Sequence, residues 1–448
     1  MGYPTWLPIK KDLTTINQAL RHKGYIYYSF YVPWCLSGRI EKVLPQNVQN
    51  SELSYLTAYA NRDTDNMTAI SRNLKRKIQK IMTGGRESGS LSLKLFLFAI
   101  SIGYGGIVRL RETSYKKSLL QSKRLPCPVI SIGNITVGGS GKTPMTIYVA
   151  GLIQGLGYGV AIISRGYKGQ AEKIGGVVCD GRKICMGPDT AGDEPFMVAR
   201  RLKTVPVIVG QNRFKAGRLT IQKFKPDVLL LDDAFQHLKL HRDLDLVLLD
   251  SEAPLGNTYL FPRGTLRETA SALSRGDAVI LTRSDIGKAP CLGQIKKYFP
   301  RKPIFHSSHI PYIYKIVTGN RSQSQDRQTI SSKYDFDIFK NKKVFAFSGI
   351  ASNDEFRRTI ESFQCKLENF LEFPDHHQYS DKELDEILKS ATDLSVEFIF
   401  TTEKDYVRMA HKIKWPIALV IIGIEISFGT KDFAFKTFIK SRLQELIP

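Results

Sequence analysis

One segment constrains the fold of this chain more than any other: an apolar run that leads into a glycine-rich loop and then a lysine–threonine pair. It extends from Val129 to Pro144 and has the sequence VISIGNITVGGSGKTP. A loop of this kind turns successive backbone N–H groups toward a phosphate at the positive end of a helix. The segment therefore predicts a phosphate-binding loop between a strand and a helix, with Pro144 tolerated in the first helical turn.

The loop supplies a candidate ATP-binding set. In loops of this type the lysine, here Lys142, contacts the β- and γ-phosphates, and the hydroxyl of Thr143 binds Mg²⁺. Thr136 stands where the usual spacing has its first glycine, and the doubled Gly138-Gly139 can supply the turn instead. The alternative is a glycine-rich loop with an incidental lysine, and the preceding strand argues against it. The predicted set is Thr136, Val137, Gly138, Gly139, Ser140, Gly141, Lys142 and Thr143.

Short β-branched runs alternate with helical stretches from Pro128 to about Asp285, and nearly all are apolar without polar alternation. Such strands are typical of a parallel sheet that is buried on both faces. The pattern predicts a doubly wound, mainly parallel α/β fold. The predicted strands are Val129–Ile132, Val160–Ser164, Val205–Val209, Val228–Asp232, Leu244–Asp250 and Ala278–Thr282.

A polar stretch from Asn320 to Lys333 interrupts this pattern, which then restarts as a second, smaller α/β domain. The predicted elements there are strands at Val344–Phe347, Leu367–Phe373, Glu397–Thr401 and Ala418–Ile424, and helices from Asp354 and Asp381. The predicted domains are an N-terminal extension at 1–90, a membrane-interface helix with its basic flank at 91–125, the phosphate-loop domain at 126–325 and the smaller domain at 334–448.

Two adjacent aspartates, Asp232 and Asp233, follow the apolar run at 228–231. Carboxylates at the C-terminal end of a strand lie where ligands bind in such sheets, and a nucleotide site needs one to hold its metal. Taken alone, an aspartate there could also be a helix N-cap. Together with Thr143, the pair predicts a metal site whose inner ligand the sequence does not identify.

The net charge of the chain and one strongly apolar segment indicate which partners it could bind. The chain has 65 Lys plus Arg against 42 Asp plus Glu, a net charge of +23, which attracts nucleic acid, an anionic membrane or a phosphorylated substrate. The window Leu91–Leu110 is strongly apolar, but its charge-free part is shorter than the ~20 residues that span a bilayer. Basic residues follow it, which predicts a helix lying in the membrane interface. The alternative is a buried first helix of the next domain.

The six cysteines are scattered and show no metal-binding spacing. They argue against a zinc ribbon or a disulfide framework and fit a reducing compartment. Residues 1–90 contain no recognisable motif. They are an accessory domain, a further membrane-contacting segment, or the result of a start codon placed too far upstream, for which Met82 is an alternative start.

A longer ordered set of motifs makes the chain resemble tetraacyldisaccharide 4′-kinase, the lipid A kinase family of Gram-negative-type bacteria. The resemblance covers roughly residues 90–448. Ala234 stands where the family usually has glycine, a small departure. The motifs are SIGNITVGGSGKTP at 131–144, SRGY at 164–167, GDEP at 192–195, LDDAFQH at 231–237, GN at 256–257, PRGTLRE at 262–268, FPDHH at 373–377 and TEKD at 402–405.

The resemblance implies an ATP- and Mg²⁺-dependent transfer of the γ-phosphoryl group to the 4′-hydroxyl of a lipid disaccharide 1-phosphate. It implies that Asp193 is the catalytic base and that His376 orients it or shares the proton, with Lys142 as a further catalytic residue. Because these residues lie in different predicted domains, it also implies that the domains close on the substrate.

Other positions match the family near the substrate, with a surface ion pair as the alternative for each. Arg267 is expected to clamp a phosphate while Glu268 orients it. For Glu403, Lys404 and Asp405, helix capping is as good an interpretation as catalysis. The substrate-side set is Arg165, Tyr167, Gln236, His237, Arg267 and Glu268.

A multiply acylated substrate stays in the bilayer. The resemblance therefore implies a peripheral or monotopic enzyme at the cytoplasmic face of the bacterial inner membrane, with an anionic lipid surface and no nucleic acid or obligate protein as partners. Two other classes remain as alternatives. A P-loop NTPase acting on nucleic acid should show a basic stripe with interleaved aromatics or a recognised binding module. A nucleotide-gated assembly or metallochaperone switch should hydrolyse ATP without an acceptor and usually has paired Cys or His ligands. The sequence shows none of these features.

Overall fold

The computed structural model describes residues 74, 77–84, 91–284, 292–318, 334–409 and 414–447. The chain forms two compact units, Met1–Lys80 and Ile81–Pro448, and the following description concerns the second. The predicted extension at 1–90 lies largely outside the described residues, and the polar stretch Asn320–Lys333 lies wholly outside them.

The first sheet carries the phosphate loop. Its strands are β1 Val129–Asn134, β2 Val160–Ser164, β3 Gly176–Asp180, β4 Pro206–Val209, β5 Val228–Asp232, β6 Leu244–Asp250, β7 Ala278–Thr282 and β8 Ile304–His306. They lie in the order β3-β4-β2-β5-β1-β6-β7-β8, and only the β3–β4 pair is antiparallel. Strand β1 is therefore central, and the loops after β1 and β5 meet at one edge of the sheet.

Burial explains which strands the sequence predicted. Strands β1, β2, β5 and β7 are buried at every residue, and all four were predicted as continuous apolar runs. Strands β3 and β8, which form the two edges of this sheet, are only partly buried and were not predicted. The doubly wound α/β fold is confirmed.

The second sheet contains β9 Ser308–Val317, β10 Lys343–Ser348, β11 Lys366–Glu372, β12 Phe398–Thr402 and β13 Ala418–Ser427. Its order is β11-β10-β12-β13-β9, with β9 antiparallel to β13. Ser307 alone separates β8 in the first sheet from β9 in the second. The predicted limit at residue 325 stays a prediction, although the change of sheet lies before it.

Ten helices are described in this unit. They are α1 Leu91–Lys116, α2 Lys142–Gly155, α3 Pro188–Ala191, α4 Asp193–Arg201, α5 Arg213–Phe224, α6 Leu292–Tyr298, α7 Asn353–Glu361, α8 Asp381–Asp393, α9 Glu403–Met409 and α10 Asp432–Leu446. Helix α10 returns to the first sheet, because its Phe435, Ile439 and Leu443 are buried in the same apolar cluster as Ile130 and Ile132 of β1. The two sheets are thus joined by side-chain packing as well as by the polypeptide chain.

Helix α1 packs along one narrow stripe. Its buried residues are Leu97, Ser101 and Gly105, which are spaced four apart, and a Cβ on Gly105 would lie 2.7 Å from Leu260 Cδ1. Many of its apolar side chains are exposed, among them Leu91, Leu95, Phe96, Ile102, Ile107 and Leu110. Within the described residues this is the one helix whose length and composition would allow it to cross a membrane, a criterion that a core or signal helix also meets. It is not the buried core helix of the alternative interpretation.

Candidate active site

A cleft of about 1840 Å³ is lined by residues of both sheets. From the first sheet come the phosphate loop and the ends of β2 and β5. From the second come the loops after β10 and β11 and the start of α9. The cleft-lining residues of the loop run from Gly138 to Pro144.

Two hydrogen bonds fix the conformation of the phosphate loop. Asn134, the last residue of β1, donates a hydrogen bond from Nδ2 to Ser140 Oγ at 2.8 Å. The backbone N–H of Val137 donates to the carbonyl of Thr265 at 2.7 Å. Gly141 has a φ of 76°, and α2 begins at the next residue. The loop is thus fixed at the positive end of a helix, as an anion site requires.

A second reason for glycine at position 141 comes from the second sheet. A Cβ on Gly141 would lie 2.4 Å from Nε2 of His309 on β9. That nitrogen is buried and makes no hydrogen bond within the described part of the chain. Burial, aided by the charge of Arg283, lowers the pKa of His309 to about 4. A neutral imidazole therefore rests against the phosphate loop, a contact that the sequence analysis missed.

The two aspartates lie beside the loop at the end of β5. Asp233 accepts bonds from Arg267 Nη1 at 2.9 and 3.0 Å and lies 3.9 Å from Lys142 Nζ. Burial opposes these charges, but Lys142 and Arg267 hold the pKa of Asp233 below its usual value. Asp232 accepts from Thr146 Oγ1 at 3.0 Å, and burial with neighbouring carboxylates raises the pKa of Asp232 to about 7.

Asp193 and His376 meet at the other side of the cleft. Asp193 is the first residue of α4, and His376 lies in the loop after β11 with a left-handed φ of 60°. The Nδ1 atom of His376 is 2.9 Å from Asp193 Oδ2. Because an ionised carboxylate only accepts hydrogen bonds, this contact assigns the hydrogen to Nδ1 and leaves Nε2 as an acceptor. His376 lines the cleft, and Asp193 lies behind it.

Two cations of α9 surround this pair. Lys404 Nζ is 3.2 Å from His376 Nε2 and donates to Glu194 at 3.0 Å. Arg408 donates to Asp193 Oδ2 from Nε at 2.9 Å and from Nη2 as well. Burial alone would raise the pKa of the Asp193 carboxyl, but the His376 hydrogen bond and the charges of Arg408 and Lys404 hold that pKa well below its usual range.

An ion pair ties α4 to α9. Arg201, at the end of α4, bonds both carboxylate oxygens of Glu403 at distances between 2.8 and 3.1 Å. Its guanidinium also lies 4.6 Å from the ring centroid of Tyr312 on β9. Glu403 is buried, so this pair fixes the helix that carries Asp193 against the helix that carries Arg408.

Arg165 and Tyr167, in the loop after β2, also line the cleft. The Tyr167 ring packs edge-on against His376 with 5.4 Å between centroids. Arg165 lies 5.8 Å from the centre of the Tyr167 ring and donates from Nε to Glu172 at 2.6 Å. Both predicted substrate-side residues are thus placed near the Asp193–His376 pair.

Gln236, His237 and Arg267 line the cleft near the phosphate loop. Gln236 donates from Nε2 to the carbonyl of Asn134 at 2.7 Å, which fixes it to the end of β1. Burial and neighbouring arginines lower the pKa of His237 to about 4, so its ring is neutral. Of these three side chains, Arg267 is the one that bonds Asp233.

Glu268 has a different environment. It is 4% exposed and accepts from Arg275 Nη2 at 2.6 Å. Arg275 also donates to Glu112 of α1 at 3.1 Å, so Glu268 belongs to a network that ties α1 to the first sheet. Among the described residues it does not line the cleft, and Asp233 is the carboxylate that holds Arg267. Its role at the substrate stays a prediction.

A comparison with protein families decides the identity of this arrangement. The family described as "Tetraacyldisaccharide-1-P 4'-kinase" matches residues 93–444. The chain belongs to the tetraacyldisaccharide-1-P 4′-kinase family. The resemblance inferred from the sequence motifs is confirmed, and so is the expectation of a kinase.

Curated relatives and a solved structure agree. A "Tetraacyldisaccharide 4'-kinase" of Desulfatibacillum aliphaticivorans is 40% identical over 373 residues, covering 83% of this chain and 99% of the relative. One from Aquifex aeolicus is 35% identical over 320 residues, covering 71% and 90% respectively. A crystal structure of the "apo" form of Aquifex aeolicus LpxK in complex with ATP is similar, with a TM-score of 0.61 and 32% identity over 78% of this chain and 99% of that one.

The sequence motifs did not predict several side chains of this site. Arg408 follows the TEKD motif by one helical turn, and its spacing of four from Lys404 could have revealed it, since such residues share a helix face. Arg213 is buried in the cleft wall, where its Nε makes no hydrogen bond within the described residues. Arg201 and His309 carry no local signal, because their partners lie more than a hundred residues away.

Proposed function

We propose that this cleft transfers the γ-phosphoryl group of ATP to the 4′-hydroxyl of a tetraacyldisaccharide 1-phosphate, as the family's name implies. The observation that carries the proposal is the Asp193–His376 contact, formed by residues 183 positions apart in the chain, in a cleft that also contains the phosphate loop. A hydroxyl acceptor needs a group to take its proton while the phosphate is held and its charge neutralised.

The phosphate loop from Thr136 to Thr143 takes the phosphates of ATP. Its backbone N–H groups and the α2 dipole favour the negative charge, and Lys142 reaches the β- and γ-phosphates. Lys142 is already near carboxylate Asp233, at 3.9 Å, so its ammonium lies between the loop and the metal pair. This position suits a charge that bridges ATP and its metal.

The residues beside the loop fit Mg²⁺. Asp232, Asp233 and the Thr143 hydroxyl offer hard oxygen ligands, and Mg²⁺ in such sites takes one or two carboxylates and completes its shell with water and substrate phosphates. Within the described residues no group of three or more His, Cys, Asp or Glu side chains could form a closed metal cage. When bound, the ion neutralises charge on the phosphates.

The Asp193–His376 pair accepts the proton of the acceptor hydroxyl. His376 faces the cleft while Asp193 fixes its ring through Nδ1. Tyr167 packs against the same ring, so its orientation is set before substrate arrives. Lys404 Nζ lies 3.2 Å from Nε2 and has Glu194 and Asp375 as its other partners, so it leaves Nε2 for them when that nitrogen takes the proton. A pre-oriented acceptor of this kind contributes about 10²–10⁴-fold to the rate.

The substrate side of the cleft carries fixed positive charge. Arg165, Arg267 and Arg213 line it together with Tyr167, Gln236 and His237. Arg213 is 4% exposed, and within the described part of the chain its side chain bonds only the backbone carbonyls of Gly210 and Gln211. A buried guanidinium without a carboxylate partner is stabilised by an anionic ligand, which suits the phosphates of both substrates.

We infer that the enzyme meets its lipid at the cytoplasmic face of the bacterial inner membrane through α1. The exposed apolar side chains of α1, several of them 58–72% exposed, suit the acyl boundary of a bilayer. The excess of 65 basic over 42 acidic residues suits anionic headgroups. The Glu112–Arg275 bond ties this helix to the catalytic sheet.

The activity is tested by phosphate transfer from γ-labelled ATP to a tetraacyldisaccharide 1-phosphate in detergent micelles. Wild type should label the lipid, and Asp193→Ala should label it about 10³-fold more slowly. Equal labelling by both would remove Asp193 from its role and keep the kinase. ATP hydrolysis without labelled lipid would overturn the lipid reaction in favour of a nucleotide-gated switch or an enzyme acting on nucleic acid.

The membrane role is tested separately, by replacing Leu95, Phe96 and Ile102 with serine. Binding of this triple variant to anionic vesicles should fall, and its rate of phosphorylation of substrate in micelles should fall by a smaller factor. Arg442→Met, an exposed change on α10, is the control for charge and handling. Unchanged vesicle binding of the triple variant would exclude α1 as the membrane contact.

A further inference from the structure

Arg408 lies at the centre of the contacts around the Asp193–His376 pair. Its side chain is 1% exposed, and all three guanidinium nitrogens are used. Nε and Nη2 donate to Asp193 Oδ2, while Nη1 donates at 3.0 Å both to Asp405 Oδ1 and to the carbonyl of Gly349. The planar guanidinium of Arg408 therefore joins the Asp193 carboxylate to two groups that follow strands of the second sheet, the Asp405 carboxylate and the Gly349 carbonyl.

Asp405, which binds Arg408 on the side away from Asp193, is itself held rigidly. Asp405 is completely buried and accepts three further hydrogen bonds. The donors are Thr402 Oγ1 at 2.6 Å, Tyr379 Oη at 3.0 Å and the backbone N–H of Gly349 at 3.1 Å. With every acceptor site engaged, Asp405 cannot turn without breaking several charge-assisted bonds. It serves as a fixed mount for Arg408.

The charges around Asp193 come from three elements. From α9 come Lys404, Arg408 and the buried Asp405; from the loop after β11 come His376 and Asp375; and Glu194 follows Asp193 on α4. Burial favours protonation of Asp193, and the cations, with Arg408 in direct contact, oppose it. Arg408 makes two of the short contacts that keep this buried carboxylate ionised.

The geometry of Asp193 Oδ2 explains why the ring of His376 is fixed. That oxygen receives His376 Nδ1 as well as both Arg408 donors, and Oδ1 receives the backbone N–H of Glu194 at 3.1 Å. Arg408 thus fixes the position of Asp193 Oδ2, and the hydrogen bond from His376 Nδ1 to this oxygen fixes the imidazole ring.

We propose that Arg408 is the positioning residue of this active site: mounted on Asp405, it holds Asp193 ionised and in place so that His376 presents one tautomer to the acceptor hydroxyl. Arg408 does not line the cleft in the described residues, so it acts through Asp193. The inference rests on the proposed function, since it concerns the group that takes the proton.

The test measures kcat/KM for lipid phosphorylation between pH 3 and 9 in wild type, Arg408→Met, Arg408→Lys and Asp405→Asn. Arg408→Met should lower kcat by about 10²-fold, the cost of a small misplacement of a catalytic group, with the KM for ATP little changed. Without the cation, the acidic limb of the profile should move to higher pH by about one unit or more.

The other two variants separate charge from geometry. Arg408→Lys keeps a positive charge and should restore most of the pH midpoint, while kcat stays low because an ammonium lacks the planar fork with which Arg408 donates to Asp193 from two nitrogens and to Asp405 from the third. Asp405→Asn leaves the Arg408–Asp193 contact and should reduce kcat less than Arg408→Met. If Arg408→Met does not fold, as a thermal melt would show, these two still decide the matter.

Arg201→Met is the matched control, because Arg201 joins the same two helices through Glu403 and does not bond Asp193. Its pH midpoint should equal that of wild type, whatever its activity. A folded Arg408→Met with the wild-type midpoint, or an equal shift in Arg201→Met, overturns the proposal. Failure of the proposed function looks different: wild type would then label no lipid, or Asp193→Ala would label it fully.

Discussion

The two regions of the cleft that we propose to be catalytic are built in different ways. The phosphate-loop region is formed by segments that follow β1 and β5, neighbouring strands of one sheet, and its lysine, Lys142, makes only a long ion pair there. Lys142 is 3.9 Å from Asp233, whose side chain is 34% exposed. The histidine–aspartate region brings together α4, α9 and the loop after β11, and its contacts are tight, with Arg408 1% and Asp193 9% exposed.

The difference fits the roles that we propose for the two regions. Phosphates and a metal ion bring their own charge and ligands, so the phosphate-loop region needs only roughly placed donors and carboxylates that close when the ligand binds. A proton acceptor has no such template, and its geometry has to be held by the protein. Substitutions in the phosphate-loop region should therefore affect ligand binding and catalysis. Substitutions in the histidine–aspartate region should also lower the stability of the fold.

The largest effect is expected from Lys142→Met, which tests the phosphate-loop region. Transfer should fall by about 10³-fold, as for loss of a group that stabilises transition-state charge. The free energy of unfolding should change by less than about 1 kcal/mol, because the one ion pair that Lys142 makes with a described residue is long, at 3.9 Å. Steady-state kinetics and denaturant unfolding measure the two quantities.

Lys223→Met, at an exposed position of α5, is the control for loss of one positive charge. A Lys142→Met protein that is both inactive and strongly destabilised would contradict the view that this region is not needed for folding.

The next effect in size is expected from Arg201→Met, which tests the tightly packed region. It leaves Glu403 buried without its bidentate partner, so the protein should lose about 3 kcal/mol of unfolding free energy. The double variant with Glu403→Met removes the unpaired charge and should recover much of that loss. Denaturant unfolding of both measures it.

Arg442→Met breaks an exposed pair with Glu445 and should cost less than about 1 kcal/mol. If Arg201→Met cost no more than this control, the tight contacts between α4 and α9 would not contribute to stability, and the comparison would fail.

The smallest effect concerns the pH dependence of stability. The pKa of Asp193 is lowered on folding from an ordinary value of 3.8, so its ionised form stabilises the fold above that pH. This contribution is lost as pH falls below it. The melting temperatures of wild type and Asp193→Asn should therefore differ at pH 7 and converge below about pH 4. A difference that stays constant with pH would show that Asp193 is not ionised through its cationic partners.

Much of the fold could be read from the sequence, and the reason is local. The buried strands of the first sheet, β1, β2, β5 and β7, are continuous apolar runs, which only a doubly covered sheet accommodates. Strand β9 was missed because it pairs antiparallel at the edge of the second sheet and is only partly buried. Its apolar pattern carries no sign of the sheet that it joins.

By itself the sequence determined the phosphate loop, the aspartate pair, the α/β class and the family, because each depends on residue types at short, fixed spacings. The tertiary structure decided the partners: Arg408 and Asp405 on Asp193, Arg201 on Glu403, and His309 against Gly141. These contacts join segments far apart in the chain, and their energies depend on burial and distance, which exist only after the two sheets have packed together.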